Sequence, residues 1–278
     1  MKRYTIPLLS LALLLLSLLE LRGQERCALA YYDLGALYDT IPSPFGGDAA
    51  YTPTGRMGWN GARYRAARER YATLIDELSM PLVAIYGIEN EAVALDLAAH
   101  TQGDYAVVHR TSNRLDGLDF ALLYQADWFL PHHAQSDFGT LLVEGELCGR
   151  KVVIILCNGA QELSTVIERY RTEHPDWPLL VAGNTGRKIK GSTLENTLTE
   201  AERAGRGSRL TRSGWWMRDR IWLDSRWAVI RADVYAREYL FDEVSGAPLP
   251  LYKGERYRGG WSQNLPVFLY FRPIDLEN

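Results

Sequence analysis

Gly259-Gly260-Trp261-Ser262-Gln263-Asn264-Leu265-Pro266-Val267, close to the C-terminal end, is the stretch whose reading decides the fold. The paired glycines suit a turn, and Pro266 suits the first position of a strand that continues from Val267 through Phe271. Between turn and strand stand Gln263 and Asn264, two carboxamides that cannot take up a proton near neutral pH.

Working outward, the chain alternates short apolar runs with longer amphipathic stretches and has no internal repeat. Strands are expected over Cys27–Leu34, Leu82–Ile88, Tyr105–His109, Leu118–Tyr124, Thr140–Leu147, Lys151–Cys157, Leu179–Ala182, Ile221–Leu223 and Trp227–Val234. Leu82–Ile88 and Lys151–Cys157 are almost wholly apolar, the signature of strands covered on both faces. Helices are expected over Asn60–Leu78, Asn90–His100, Leu163–His174 and Leu194–Ala204. Asp39–Gly58, rich in Pro and Gly, is expected to be a loop, and Gly149-Arg150 a tight turn. The alternation suits an α/β fold, either a two-sheet sandwich or an open sheet.

The 278 residues carry a net charge of −3 and are 47% hydrophobic, enough for one large core. Lys2-Arg3 followed by an apolar run from Tyr4 to Leu19, then a polar break and Gly23, predict a secretory signal at residues 1–23. Its removal takes away Lys2, Arg3, Arg22 and Glu20 and leaves a net charge of −5 on residues 24–278. That balance argues against broad nucleic-acid affinity. The protein is thus expected to be exported, periplasmic, outer-envelope or secreted, with no transmembrane segment after cleavage. Of Cys27, Cys148 and Cys157, three buried free thiols are expected, with one disulfide and one free thiol as the alternative. Arg187–Arg220 holds nine Lys or Arg against four acids, a pattern expected of a solvated loop face.

The opening stretch resembles the closing motif Gly-Gly-Tyr-Ser-Asp-His-Leu-Pro-Val of the endonuclease/exonuclease/phosphatase superfamily, and the resemblance runs through almost the whole of residues 24–278. The similarity is greatest to the bacterial exported branch. Tyr32-Asp33-Leu34 through Thr40 resembles its opening Tyr-Asn-Val-Glu-Asn-Leu-Phe-Asp-Thr, and Ile85-Tyr86-Gly87-Ile88-Glu89-Asn90 its metal-ligand strand. Asp116-Gly117-Leu118-Asp119-Phe120-Ala121 resembles the next motif, with Asp116 where the family has Arg. Cys157-Asn158-Gly159 stands for the strand ending in the first catalytic His, and Gly183-Asn184-Thr185-Gly186 for Gly-Asp-Phe-Asn. Met217-Arg218-Asp219-Arg220-Ile221 keeps the single Asp of a later motif. The resemblance implies a DNase I-like fold, a four-layer α/β/β/α sandwich of two mixed β-sheets, and in the family a Mg²⁺-dependent phosphoester hydrolase.

The positions that carry the family's chemistry are here Asp33, Gly87, Asn158, Asn184, Gly186, Asp219, Gln263 and Asn264. The metal-ligand Glu falls on Gly87, the two catalytic histidines on Asn158 and Asn264, and none of the five histidines lies at a motif position. Glu89 faces the same side as Gly87 but about 6–7 Å further along a strand. The expectation is therefore a non-catalytic exported binding protein with no cofactor, whose partner is a ligand or an envelope protein. The alternative is a Mg²⁺-dependent phosphoesterase or nuclease with a rearranged carboxylate site. Asp33, Glu89 and Asp219 are its candidate metal ligands, with Asp119 as a further carboxylate. Asp119 and Asp219 either bind such a cation or hydrogen-bond neighbouring loops. The tryptophans Trp215, Trp216, Trp222, Trp227 and Trp261 are expected mostly in the core.

Overall fold

The computed structural model describes residues 26–44, 46–112, 114–137, 139–159 and 162–274. The expected export signal at residues 1–23 lies outside the described residues. Two six-stranded mixed sheets dominate. The first has the order β13 (Trp227–Val234), β16 (Val267–Pro273), β1 (Cys27–Leu37), β2 (Leu82–Ile88), β4 (Asp119–Tyr124), β3 (Ala106–His109). The second runs β5 (Phe129–Asp137), β6 (Thr140–Leu147), β7 (Arg150–Asn158), β8 (Leu179–Asn184), β12 (Arg220–Leu223), β9 (Glu195–Asn196), and two short hairpins, β10 (Arg209–Thr211) with β11 (Gly214–Trp216) and β14 (Tyr252–Lys253) with β15 (Arg256–Tyr257), stand outside both sheets. In each sheet one central pair is parallel, β1 with β2 and β7 with β8, and the other pairings are antiparallel.

The apolar strands show why two sheets must stack. Along β7, Val152, Ile154 and Leu156 enter the large core between the sheets, while Val153, Ile155 and Cys157 face the other way. That outer face is covered by α3 (Leu163–Glu173), which lays Leu163, Val166, Ile167 and Tyr170 against it. The period-2 alternation thus feeds two cores from one strand. On the first sheet α1 (Gly61–Leu78) plays the same part. Tyr71 packs edge-on to Tyr32, ring centroids 6.2 Å apart, and donates its hydroxyl to the Leu34 and Trp261 carbonyls. The layers are therefore helix, sheet, sheet, helix.

Local chemistry sets the boundaries. Asn60 accepts from the Ala62 and Arg63 amides to start α1, and Ser79 ends it in a left-handed conformation. Asn90 caps α2 (Glu91–Ala98) through the Val93 amide. The β6–β7 hairpin turns on Cys148 and Gly149, both at positive φ, one residue earlier than the expected Gly149-Arg150 turn.

Three expectations need correction. Strand β5 was not anticipated, because Pro131, His132 and His133 break its pattern; it is an edge strand with a bulge between Pro131 and His133. The helix expected over Leu194–Ala204 is only α4 (Thr199–Arg203). Asn196 pairs with Trp222 across the sheet and accepts from the Leu198 amide, which holds the preceding residues out of a helix. The expectation of three free thiols also fails. Cys27 and Cys148 form a disulfide that ties the start of β1 to the β6–β7 turn, leaving only Cys157 free. Burial pushes the Cys157 thiol up to about 12. No helix among the described residues is long and apolar enough to cross a membrane.

Candidate functional site

The carboxyl ends of the parallel pairs β1–β2 and β7–β8 meet at one end of the sandwich. Asp33 comes from β1, Asn158 ends β7, Asn184 ends β8 beside it, and Asp219 immediately precedes β12. The sequence leaves these residues scattered over nearly the whole chain, and the two central crossovers gather them.

What joins them is Arg218. Its Nη1 donates to Asp33 Oδ2 at 2.7 Å and to Asp219 Oδ1 at 2.6 Å, and its Nη2 donates to Asn158 Oδ1 at 3.1 Å. Asn184 Nδ2 donates to the same Asn158 oxygen at 3.3 Å. The other carboxylate oxygens are also held. Asp33 Oδ1 accepts from the Gly35 amide at 2.8 Å, and Asp219 Oδ2 accepts from Ser208 Oγ at 3.0 Å. Ser208 Oγ in turn accepts from the Arg218 and Asp219 amides, so one hydroxyl fixes the whole dipeptide.

The site is buried, and its electrostatics follow from that. The side chains of Asp33, Asp219 and Arg218 are 5%, 1% and 12% exposed. Burial pushes both carboxyls up, Asp219 to about 6, against the opposing pull of the guanidinium. Burial disfavours the Arg218 charge too, but the two carboxylates more than offset it and hold its pKa above the ordinary value. Both carboxylates bond the Arg218 cation, and Arg209 adds a further pull on Asp33.

Gly87 lies just behind Asp33. Its φ is +94°, and a Cβ there would come within 2.9 Å of the Gly35 carbonyl oxygen. A bulge where β1 and β2 change register puts the two backbones this close. Gly186, at φ +75°, gives its carbonyl to the buried Arg220, which also pairs with Glu202. Gln263 accepts from Arg209. Asn264 bridges Arg209 through the backbone, and its side-chain oxygen is buried without a partner among the described residues.

The candidate metal carboxylates are not brought together as the alternative reading needs. Glu89 accepts from the Asp39 amide at 2.6 Å, at the end of β2, and Asp119 accepts from Ser112 and lies 3.3 Å from His109 Nε2. No three His, Cys, Asp or Glu side chains gather closely enough to hold one ion among the described residues. Asp116 is paired with Arg114 at 2.9 Å. Beside Asn158 opens a cleft of about 810 Å³, lined by Ser112, Arg114, Asp116 and Thr140 among others. The expectation that the tryptophans lie mostly in the core needs correction: Trp222, which donates to Thr185, and Trp227, packed on Phe271, are buried, whereas Trp216 and Trp261 are half-buried and Trp215 is 37% exposed.

Sequence reasoning missed Arg218, which it counted among solvated basic residues. The available signal was its place directly before Asp219, an aspartate kept at its motif position.

The sequence model of the Endonuclease/Exonuclease/phosphatase family matches residues 28–167, half of the chain. None of the curated proteins matches it in sequence. Among solved structures it is similar to an endonuclease/exonuclease/phosphatase family protein of Bacteroides thetaiotaomicron. The TM-score is 0.60 at 12% identity, covering 92% of this chain and 98% of that one. A humanized D. rerio TDP2 gives 0.59 at 11% identity, with 89% and 99% covered. A Bacteroides thetaiotaomicron mannosyl-6-phosphatase gives 0.57 at 13%, with 88% and 99% covered. Two mixed sheets in this order, the ordered motifs along them and the family match agree: the chain belongs to the endonuclease/exonuclease/phosphatase family.

Proposed function

We propose that this family member is an exported binding protein that does not hydrolyse phosphoesters. The observation that carries the reading is the Arg218 guanidinium, held by Asp33, Asp219 and Asn158 at the mouth of the sandwich. Mg²⁺ is held mainly by carboxylate oxygens at about 2.0–2.1 Å and keeps several waters. Here the two available carboxylates are already committed to a cation, and the backbone at Gly87 leaves no room for a third. The residues present do not fit the family's ion.

Proton transfer is equally unsupported. Asn158, Asn184 and Asn264 occupy positions where a base or acid would be needed, and a carboxamide is neither. His100, His109, His132 and His174 each sit beside a carboxylate elsewhere, Asp96, Asp119, Glu146 and Glu144. Members of a catalytic unit act together, so losing several leaves little rate. What remains is a cleft lined by the hydroxyls of Thr111, Ser112, Ser136 and Thr140, the Asn158 amide and the Arg114–Asp116 pair, suited to holding a polar ligand. The Cys27–Cys148 disulfide supports export, since such bonds persist in oxidising compartments.

The purified protein is expected to give no Mg²⁺- or Mn²⁺-dependent turnover of DNA, RNA or simple phosphodiesters above a heat-killed control. Thermal-shift screening against sugars, sugar phosphates and nucleotides should instead find a stabilising ligand. Metal-dependent turnover that Asp219→Ala abolishes would overturn the reading. Protein recovered from the envelope or medium should begin near Gln24; a cytoplasmic chain still starting at Met1 would overturn export.

A further inference from the structure

The three oxygens around Arg218 come from both sheets. Asp33 Oδ2 belongs to β1, Asn158 Oδ1 to β7, and Asp219 Oδ1 to the entry of β12. All three are hard donors of the kind that Ca²⁺, Mn²⁺ and Mg²⁺ take. Their orientation does not depend on the arginine side chain alone. The Gly35 amide aims Asp33, Ser208 Oγ aims Asp219, and Asn184 Nδ2 aims Asn158.

An independent feature points the same way. Tyr31 stands two residues before Asp33 on the same face of β1, fully buried. Its hydroxyl lies in the field of Asp219, Asp33 and Arg218 yet has no hydrogen-bond partner among the described residues. A buried hydroxyl without a partner costs stability unless an ion, a water or a ligand completes it.

We propose that this is an oxygen-lined cation socket whose occupant is the chain's own Arg218 guanidinium, and that shortening Arg218 opens it to a hard divalent ion. The inference rests on the reading above, that the natural chain holds no ion there. In this view the arginine does the structural work of an ion, screening two buried carboxylates and pinning β1, β7 and β12 together. It does so at any ambient metal concentration. A pre-set shell with a flexible coordination requirement favours Ca²⁺ or Mn²⁺ over Mg²⁺, which dehydrates reluctantly.

The test uses the full protein and its Arg218→Ala and Arg218→Met variants, with thermal midpoints measured in EDTA and in millimolar Ca²⁺, Mn²⁺ or Mg²⁺. The natural chain should be indifferent to the ions. Both variants should melt lower in EDTA and regain several degrees with Ca²⁺ or Mn²⁺. Titration calorimetry should find stoichiometric Mn²⁺ binding that a further Asp219→Asn removes. Variants that fold but ignore every ion overturn the socket and leave the non-catalytic reading standing. Variants that fail to fold both with and without ions also overturn it, because an ion should then rescue them. Mg²⁺-dependent hydrolysis by the natural chain would instead overturn the non-catalytic reading, and ion binding by the variants still judges the socket separately.

Discussion

Removing the Cys27–Cys148 disulfide is the perturbation whose cost can be worked most directly. The bond closes a loop with a sequence separation of 121. In the chain-entropy picture, a loop of that length removes about 16 cal/mol/K from the unfolded ensemble, or about 5 kcal/mol at 25 °C. A domain of this size loses about 2–4 °C of midpoint per kcal/mol, so Cys27→Ala should lower the melting point by about 10–20 °C. Cys148 adds a second term. It sits at φ 51°, a left-handed conformation that costs a non-glycine residue about 1–2 kcal/mol. Cys148→Gly should therefore fall short of Cys148→Ala by about 1 kcal/mol, because glycine relieves that strain. The assay is urea denaturation of the single variants and of the Cys27→Ala/Cys148→Ala pair, with and without reductant. The pair should be no worse than a single variant, since either change breaks the same bond. Reductant should bring the natural chain down to the variants and leave them unmoved. A loss below about 1 kcal/mol, or additive losses in the pair, would refute the reasoning.

Gly87→Glu, which puts a carboxylate where the resemblance places the metal-ligand Glu, should destabilise by about 3 kcal/mol or more in urea denaturation, from backbone strain at φ +94° and the contact with Gly35. It should restore no Mg²⁺-dependent hydrolysis; a stable, active variant would overturn the account of that bulge. Burial pushes the Glu89 carboxyl up from 4.5 to about 7, so in that window the folded chain keeps a proton that the unfolded chain has released. Stability should fall as pH rises from 4.5 to about 7. Glu89→Gln, which still accepts from the Asp39 amide, should flatten that slope in pH-dependent melting; an unchanged slope would refute the assignment.

Much of the fold was legible because it is written in short-range chemistry. Asn60 and Asn90 announce helix starts, and the unbroken apolar runs at Leu82–Ile88 and Val152–Cys157 announce strands with two covered faces. The motif order announced the family. Strand β5 was not legible because an edge strand needs only Phe129 buried, so Pro131 and the two histidines cost it little. The disulfide was not legible either. Nothing near Cys27 in sequence names Cys148 as its partner, and only the stacking of the two sheets brings them together.

Arg218 was hidden for the same reason, and its case goes furthest. In sequence it is one of nine basic residues between Arg187 and Arg220, and most such residues are solvated. Its acceptors come from β1 and β7, far away along the chain, so its burial is a purely tertiary fact. Yet the surrounding substitutions make sense only with it. Where the resemblance has Asn and Glu, this chain has Asp33 and Gly87, which moves a carboxylate from one strand to its neighbour. At Gly87 the backbone has closed up on Gly35 and no side chain can return. The carboxylate at Asp33 shares Arg218 with Asp219, and two buried carboxylates brought together need a cation between them or a proton kept on one. A guanidinium supplied from the residue before Asp219, already fixed by Ser208, meets that need without an ion. A glutamate at Gly87 would meet the Gly35 backbone, and loss of Arg218 would strand the Asp33 and Asp219 carboxylates together in a buried site.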